Sequence, residues 1–510
     1  MLAFSFISTS TGHLIKICIF GKVLSTNQLS VGLAMNKTKL IGLILGPLLF
    51  FITTNLPFEL VSQKADAVIA VALWMVIWWI TETVSIAVTA LLPLILFPLL
   101  KIMPIADVGA NYGSPIIFLF FGGFVLALAL EKVNLHKRIA LNIIRLTGTT
   151  PNKVVLGFMI ATGLMSMWIS NTASTVVMLP IAMSVIRLLI DDEDGFTKDD
   201  QNFALSVMLG IAFSANAGGI ATVIGTPPNS VLIGLLENEY NIEISFLKWM
   251  TLGLPFSIIM ITIIYFVLIK WMFPNKNIQF SASKNVISSE LEKLGEISAK
   301  EKRVLIIFGV TVFLWIFRTL INKLIPGLAL SDTVISMIAA ISLFAIPFNI
   351  RKGDYIIKWK DTEKLAWGIL ILFGGGLALA KGMSVSGIVD VVANAIATSN
   401  ISIFFTASLL IILMLFMTEL MSNVALVAVL APVVAGIAIG LEIPLLYLLI
   451  PVTIASSCAF MLPMATPPNA IVFASGYIKV HQMARAGIVL NLIAVALLIL
   501  MFQFVIPLFF

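Results

Sequence analysis

Charge is scarce in this chain. Only 11% of its 510 residues are Asp, Glu, Lys or Arg, whereas soluble domains carry about 25%. A conventional water-soluble domain is therefore excluded. Cysteine is nearly absent, with two residues, Cys18 and Cys458, far apart in apolar surroundings. That excludes a disulfide framework and any cysteine metal cluster. The three histidines, His13, His136 and His481, have no metal-ligand spacing, and no nucleophile-base pair stands beside them. An intramembrane hydrolase is accordingly disfavoured.

What the chain has instead is apolar sequence. Hydrophobic residues make up 60% of it and its mean hydropathy is +1.09. Runs long enough to cross a bilayer recur throughout, so the fold class is an all-α polytopic membrane protein. The net charge of +6 then reads as basic cytoplasmic loops in contact with a lipid bilayer, not as a nucleic-acid surface.

Two copies of one constellation organise the chain. The first is Ser170-Asn171-Thr172, followed by Gly225-Thr226-Pro227-Pro228-Asn229. The second is Ser422-Asn423-Val424, followed by Ala465-Thr466-Pro467-Pro468-Asn469. Phe121-Gly122-Gly123 precedes one and Phe373-Gly374-Gly375 the other, and Phe to Ser is 49 residues in both halves. Small polar residues often serve only to pack helices in membranes. Their repetition in one order at one spacing, each beside a proline pair, points instead to paired broken helices around a midplane site.

The expected organisation follows. Residues 1–39 are a cytoplasmic N-terminal extension. The first half, 40–274, has spans near 40–58, 66–82, 84–100, 114–131, 203–236 (broken at 225–229) and 246–272, with a re-entrant hairpin at 152–187 whose tip is 170–172. A cytoplasmic linker, 275–302, leads to the second half, 303–510. Its spans lie near 303–323, 331–349, 365–381, 443–477 (broken at 465–469) and 486–508, with a hairpin at 401–440 and its tip at 422–424. That makes eleven transmembrane helices and two re-entrant hairpins. With a cytoplasmic N-terminus, short loops placed inside carry most of the Lys and Arg, and those outside little more than Lys64, Lys101, Lys248, Lys323 and Lys381. An odd number of spans separates equivalent points, so this is an inverted-topology repeat.

The chemistry follows from the breaks. Each proline pair removes two N–H donors, and the threonine before it is pushed out of the α region. Freed carbonyls and the Ser, Thr and Asn oxygens are hard donors that suit a small cation. Half-helix N-termini at the same breaks suit an anion. Glu419 reads either as a cation or proton site or as a hydrogen-bonding support for the second hairpin, with the support favoured. Trp74, Trp78 and Trp79 read as an interfacial belt.

These motifs, with the flanking Cys458-Ala459-Phe460-Met461-Leu462-Pro463 and Ile369–Gly376, resemble the divalent-anion sodium symporter family from about residue 40 to the end. The resemblance implies a homodimeric, elevator-type transporter in the cell membrane, with Na⁺ as coupling ion and no cofactor. It implies one sodium site at Ser166, Ser170, Asn171 and Gly225, and another at Thr418, Met421 (through its carbonyl), Asn423 and Ala465. A dicarboxylate would meet Ser170, Asn171, Thr172, Thr226, Ser422, Asn423 and Thr466. Val424 stands where many bacterial members have threonine. The expected function is sodium-coupled import of C4-dicarboxylates such as succinate, fumarate and malate. The alternative is a sodium-independent dicarboxylate exchanger of the same fold. The absence of Lys or Arg beside either tip favours sodium.

Overall fold

The computed structural model describes residues 37–55, 62–148, 150–190, 197–274, 283–325, 327–349, 354–399 and 401–509. The N-terminal extension before residue 37 lies outside them. Helix dominates, because an apolar segment in lipid can satisfy its backbone only internally.

The first half opens with α1 (Lys37–Asn55), α2 (Gln63–Thr81), α3 (Ile86–Thr89), α4 (Leu92–Leu99) and α5 (Ile105–Tyr112). It continues with α6 (Pro115–Lys132), α7 (Leu135–Thr147), α8 (Pro151–Ser166), α9 (Asn171–Ile190), α10 (Lys198–Gly219), α11 (Pro227–Tyr240) and α12 (Phe246–Phe266). The connection holds α13 (Ser283–Leu294). The second half has α14 (Ala299–Leu324), α15 (Asp332–Ala345), a two-stranded antiparallel hairpin of β1 (Pro347–Asn349) and β2 (Asp354–Tyr355), and α16 (Trp367–Val385). Then come α17 (Ile388–Ala397), α18 (Ile403–Met417), α19 (Asn423–Gly440), α20 (Leu445–Ser456), α21 (Pro467–Phe473) and α22 (Val480–Leu500).

The order α6 to α12 recurs as α16 to α22. Each series is a Phe-Gly-Gly helix, a shorter helix, two hairpin arms, a helix broken before a proline pair, and a closing helix. Even the ends agree, since α12 and α22 both run into π turns, at Val267–Met272 and Met501–Val505.

Eight helical stretches among the described residues are long and apolar enough to span a membrane. Of the eleven expected spans, those at 84–100, 203–236, 331–349 and 443–477 are not among these stretches, whereas α19, an arm of the expected second hairpin, is. The 203–236 stretch is divided into α10 and α11, and the other three are shortened. Pro93 and Pro98 accompany the division of the span at 84–100 into α3 and α4, that at 331–349 is the 14-residue α15, and that at 443–477 is cut to the 12-residue α20 by the unwound loop after it. The expected linker also contains the 12-residue α13. It docks through Glu290, which pairs with Lys137 of α7 at 2.7 Å. Hydrogen bonds from Lys137 and Lys293 hold the Glu290 carboxyl below its ordinary range. Arg138, next along α7, pairs with Glu301 at 2.6 Å and donates to the carbonyls of Leu294, Gly295 and Glu296.

The three tryptophans expected at an interface also pack against neighbouring segments. Trp79 is buried and donates to the Ile86 carbonyl, while Trp78 donates to that of Gly42. Trp74 meets Trp78 edge-to-face and Phe50 at a tilt. Gly46 on α1 leaves the indoles room, since a Cβ there would lie 2.7 Å from Trp74 Cδ1.

Burial separates the centre from the lipid face. Every residue of α10 from Phe203 to Gly219 is buried, as expected of a helix apolar on all sides. By contrast α14 buries only Glu301, Val304, Thr311 and Trp315 and exposes Ile306, Val310, Phe313 and Leu320. α10 packs most extensively on α8, and the helices meet at Gly163 and Gly218. A Cβ at Gly218 would sit 2.6 Å from the Gly163 Cα, which is backbone and cannot swing away. Gly218→Ala is therefore expected to push the first hairpin off α10 and destabilise the protein by about 1–3 kcal/mol, the range for overpacking. Thermal unfolding in detergent checks this; an unchanged midpoint would refute the close packing.

Candidate functional site

All four motif segments begin helices. Asn171 opens α9 and Asn423 opens α19, while Thr226 and Thr466 are the N-caps of α11 and α21. The two threonines are extended, with φ/ψ of −140°/138° and −141°/152°, as a residue before proline must be. The halves interlock here. α9 of the first hairpin packs on α21, and α19 of the second packs on α11.

At the first tip the chain turns between α8 and α9. The buried Ser166 hydroxyl lies 2.5 Å from Asn171 Oδ1 and 2.7 Å from the Ala215 carbonyl on α10. The same end of the Asn171 amide is 3.2 Å from Ala215 O and 3.3 Å from Gly225 O. With Nδ2 turned to this end, the amide donates to Ser166 Oγ and to both carbonyls; with Oδ1 turned there, it joins those three oxygens in an acceptor-rich cluster. Gly219 and Gly225 make this possible. A Cβ at Gly225 would stand 3.0 Å from both the Gly219 Cα and the Ser166 carbonyl, and one at Gly219 would strike the Asn171 amide.

The second tip repeats the arrangement. The buried Thr418 hydroxyl lies 2.7 Å from Asn423 Oδ1 and 2.7 Å from the Ser456 carbonyl at the end of α20. Thr418 and Asn423 are spaced as Ser166 and Asn171 are, five residues apart. With its asparagine oxygen turned inward, each cluster has one hydroxyl proton for two facing acceptors. It is one positive partner short, which is the chemistry of a small hard cation site. Ala465 is buried in the adjoining loop and Met421 is half-buried on the tip, but among the described residues neither hydrogen-bonds to Thr418 or Asn423.

The residues expected at the anion lie at helix N-termini beside these clusters. Ser170 is exposed and its Oγ accepts from the Ala173 N–H at 3.1 Å, and Thr172 and Ser422 are half-buried. Thr226 is buried. Thr466 is buried as well, and its hydroxyl oxygen accepts from Asn216 Nδ2 at 3.1 Å. Asn216 belongs to α10, so this contact joins the two halves. The same amide also reaches the Ala459 carbonyl, at 3.1 Å.

Several residues that hold this geometry escaped the sequence reading. The asparagines of the two Thr-Pro-Pro-Asn segments reach back across their loops. Asn229 Nδ2 donates to the carbonyls of Gly219, Ile220 and Thr222, and Asn469 Nδ2 to those of Ala459 and Leu462. They satisfy the carbonyls that each break frees. Thr222 ties the first loop to its hairpin by donating to the Met167 carbonyl at 2.5 Å.

The second loop is tied by Glu419, one residue past the position equivalent to Ser166. Its carboxylate is buried and accepts from the backbone N–H groups of Phe460 (2.8 Å), Met461 (3.0 Å) and Leu462 (3.1 Å). Asn491 of α22 donates a fourth hydrogen bond at 2.7 Å. Glu419 is thus the support of the second hairpin and its loop. The signal for Asn216 and Asn491 was present in the sequence, as lone amides inside apolar runs. What each amide meets was not.

Comparison with known proteins shows what the chain is similar to. The family model for the sodium:sulfate symporter transmembrane region matches residues 37–510. A sodium-dependent dicarboxylate transporter of Staphylococcus saprophyticus is 40% identical over 479 residues, 92% of each chain. Its counterpart in Staphylococcus aureus strain USA300 is 40% identical over 476 residues, 92% of this chain and 91% of the other. Among solved structures, the YdaH transporter of Alcanivorax borkumensis shares the fold with a TM-score of 0.55 at 14% identity, covering 78% of this chain and 88% of that one. Matched over nearly its whole length, the chain belongs to the sodium:sulfate symporter family, the divalent-anion sodium symporters whose motifs it carries.

Proposed function

We propose that this protein imports C4-dicarboxylates, such as succinate, fumarate and malate, by sodium symport. One observation carries the reading: each tip pairs an acceptor-rich oxygen cluster with a helix N-terminus, and the pairing occurs twice. Sodium at the first cluster would be held by Ser166 Oγ, Asn171 Oδ1 and the carbonyls of Ala215 and Gly225. At the second it would be held by Thr418 Oγ1, Asn423 Oδ1 and the Ser456 carbonyl. Ser170, Thr172, Thr226, Ser422 and Thr466 would then receive the two carboxylates at the N-terminal ends of α9, α11, α19 and α21. Asn171 and Asn423 face both ligands, which couples them. The matched relatives, described as sodium-dependent dicarboxylate transporters, support the same substrate class.

Charge sets the stoichiometry. One Na⁺ with a dianion carries a net −1 against a negative-inside potential, at a cost of ~2.3 kcal/mol per 100 mV. Two sodium ions make the step neutral and a third makes it favourable, and a tenfold gradient adds ~1.4 kcal/mol per ion. The repeat supports an elevator movement of the hairpins and broken helices against the remaining helices, in a homodimer in the cell membrane with its N-terminus in the cytoplasm.

The test is radiolabelled succinate uptake into proteoliposomes, with inward Na⁺ or choline, and with or without internal dicarboxylate. Uptake that requires Na⁺ and no internal anion is expected. Uptake indifferent to Na⁺ but dependent on internal dicarboxylate would make the protein an exchanger.

A further inference from the structure

One cavity lies apart from the hairpin tips, where four helix ends meet. α6 finishes there at Lys132, and α14 begins there at its N-cap Ser298. The hairpin after α15 returns to it through Ile357 N–H, which donates to the Leu343 carbonyl. The turn before α16 is fixed by Trp367 Nε1 on the Thr362 carbonyl at 2.8 Å. Helices long and apolar enough to cross the membrane are among those ending at this level, and it is the level to which charge asymmetry assigns the cytoplasm.

The cavity has a volume of about 340 Å³. Lys132, Lys300 and Lys358 line it, with Ser298, Tyr355 and a single carboxylate, Asp354. Its lining is therefore net positive. The N-terminal end of the 26-residue α14 adds a positive dipole end. Lys132 is positioned by Asp361, at 2.5 Å, which also accepts from the Lys358 N–H at 2.7 Å. Tyr355, in the lining, is 40% exposed, and Trp359, next in the chain to the lining Lys358, is 67% exposed. Exposed Trp and Tyr beside lysines at a helix-end level form the pattern of a membrane-water boundary.

We infer that this cavity is a binding site for a phosphate group, with lysine ammonium groups as its ligands and the exposed Tyr355 and Trp359 directing it to a phospholipid headgroup. Lysine binds phosphate as a point charge, and a basic pocket between helices on the cytoplasmic side suits an anionic headgroup. A bound phosphate would bridge α6, α14 and the β2–α16 segment, elements from both halves. None of these residues belongs to the transport site, so the inference stands apart from the proposed function.

The experiment measures thermal stability of the purified full chain in nanodiscs of phosphatidylglycerol or phosphatidylcholine, and in detergent with added inorganic phosphate. Stabilisation by phosphatidylglycerol alone identifies a lipid headgroup; stabilisation by inorganic phosphate in detergent identifies a soluble phosphate. Two variants test the assignment with opposite signs. The double variant K300Q/K358Q, which leaves the Lys132–Asp361 pair in place, is expected to weaken binding about tenfold or more. D354N is expected to tighten it. A purely structural role for these side chains would not reverse sign with charge. No preference for either phosphate source in the wild type, or a preference unaltered in K300Q/K358Q, would overturn the inference.

Discussion

Alanine at Asn171 or at Asn423 is expected to lower sodium-dependent succinate uptake at least a hundredfold, at wild-type yield. Each amide would be the shared member of its proposed site. It faces the oxygen cluster on one side, and it opens a helix whose N-terminus is available to the anion on the other. Truncation removes two contacts to charged partners, each about 1.5–3 kcal/mol. The sum, on the order of 3 kcal/mol or more, corresponds to about two decades. Aspartate separates the two roles. Asn423→Asp keeps an oxygen for the cation and adds a negative charge where the dianion would dock. Sodium-dependent thermal stabilisation should be kept in the aspartate variant and reduced to what the first cluster supplies in the alanine variant, with succinate uptake lost in both. Normal uptake in either alanine variant would remove that residue from the site.

The second large effect is expected at Glu419. Its carboxylate gathers four donors: the buried Phe460 N–H and Asn491 amide, and the N–H groups of the half-buried Met461 and Leu462. Glu419→Ala would remove the acceptor from all four. An unsatisfied buried polar group costs about 1–3 kcal/mol, so the loss is expected to be on the order of 4 kcal/mol or more. The second loop should then lose its shape, and with it the Ser456 carbonyl and Thr466 should move away from tip two. Glu419→Gln keeps an oxygen for the donors at Oε1 but turns an amide toward the Leu462 N–H, so an intermediate loss follows. Thermal unfolding of the two variants, alongside uptake, tests this. An alanine variant as stable as the wild type would show that the loop holds itself without the carboxylate.

The two halves solve one problem differently, and this explains the uneven legibility of the site. Both must satisfy an unwound segment inside a membrane protein. In the first half, neutral groups suffice: Thr222 and Asn229 tie a loop that is buried throughout. In the second, a longer loop exposes Met464 and is held by a buried charge. Matched motifs made the repeat visible, but the supporting residues occupy unmatched positions. Glu419 aligns with Met167, so no comparison of the halves would have marked it.

Sequence by itself determined the class of molecule, the doubled architecture and the residues at the breaks. These rest on local physics. Hydropathy decides what enters lipid, proline decides where a helix stops, and the residue before proline must be extended, as Thr226 and Thr466 are. The family resemblance carried by these motifs also named Ser166 with Asn171 and Thr418 with Asn423. Only the tertiary structure decided the rest. The carbonyls of Ala215 and Ser456 complete the clusters from other helices, and every residue has a carbonyl, so no letter distinguishes them. Asn216 reaches Thr466 across 250 residues, and Glu419 reaches Asn491 across 72. Which spans shorten, and that Trp78 and Trp74 meet Gly42 and Phe50 of α1, also depended on tertiary packing. Hydrogen bonds and close contacts between distant segments are set by how helices cross, and the local pattern of a sequence does not carry that information.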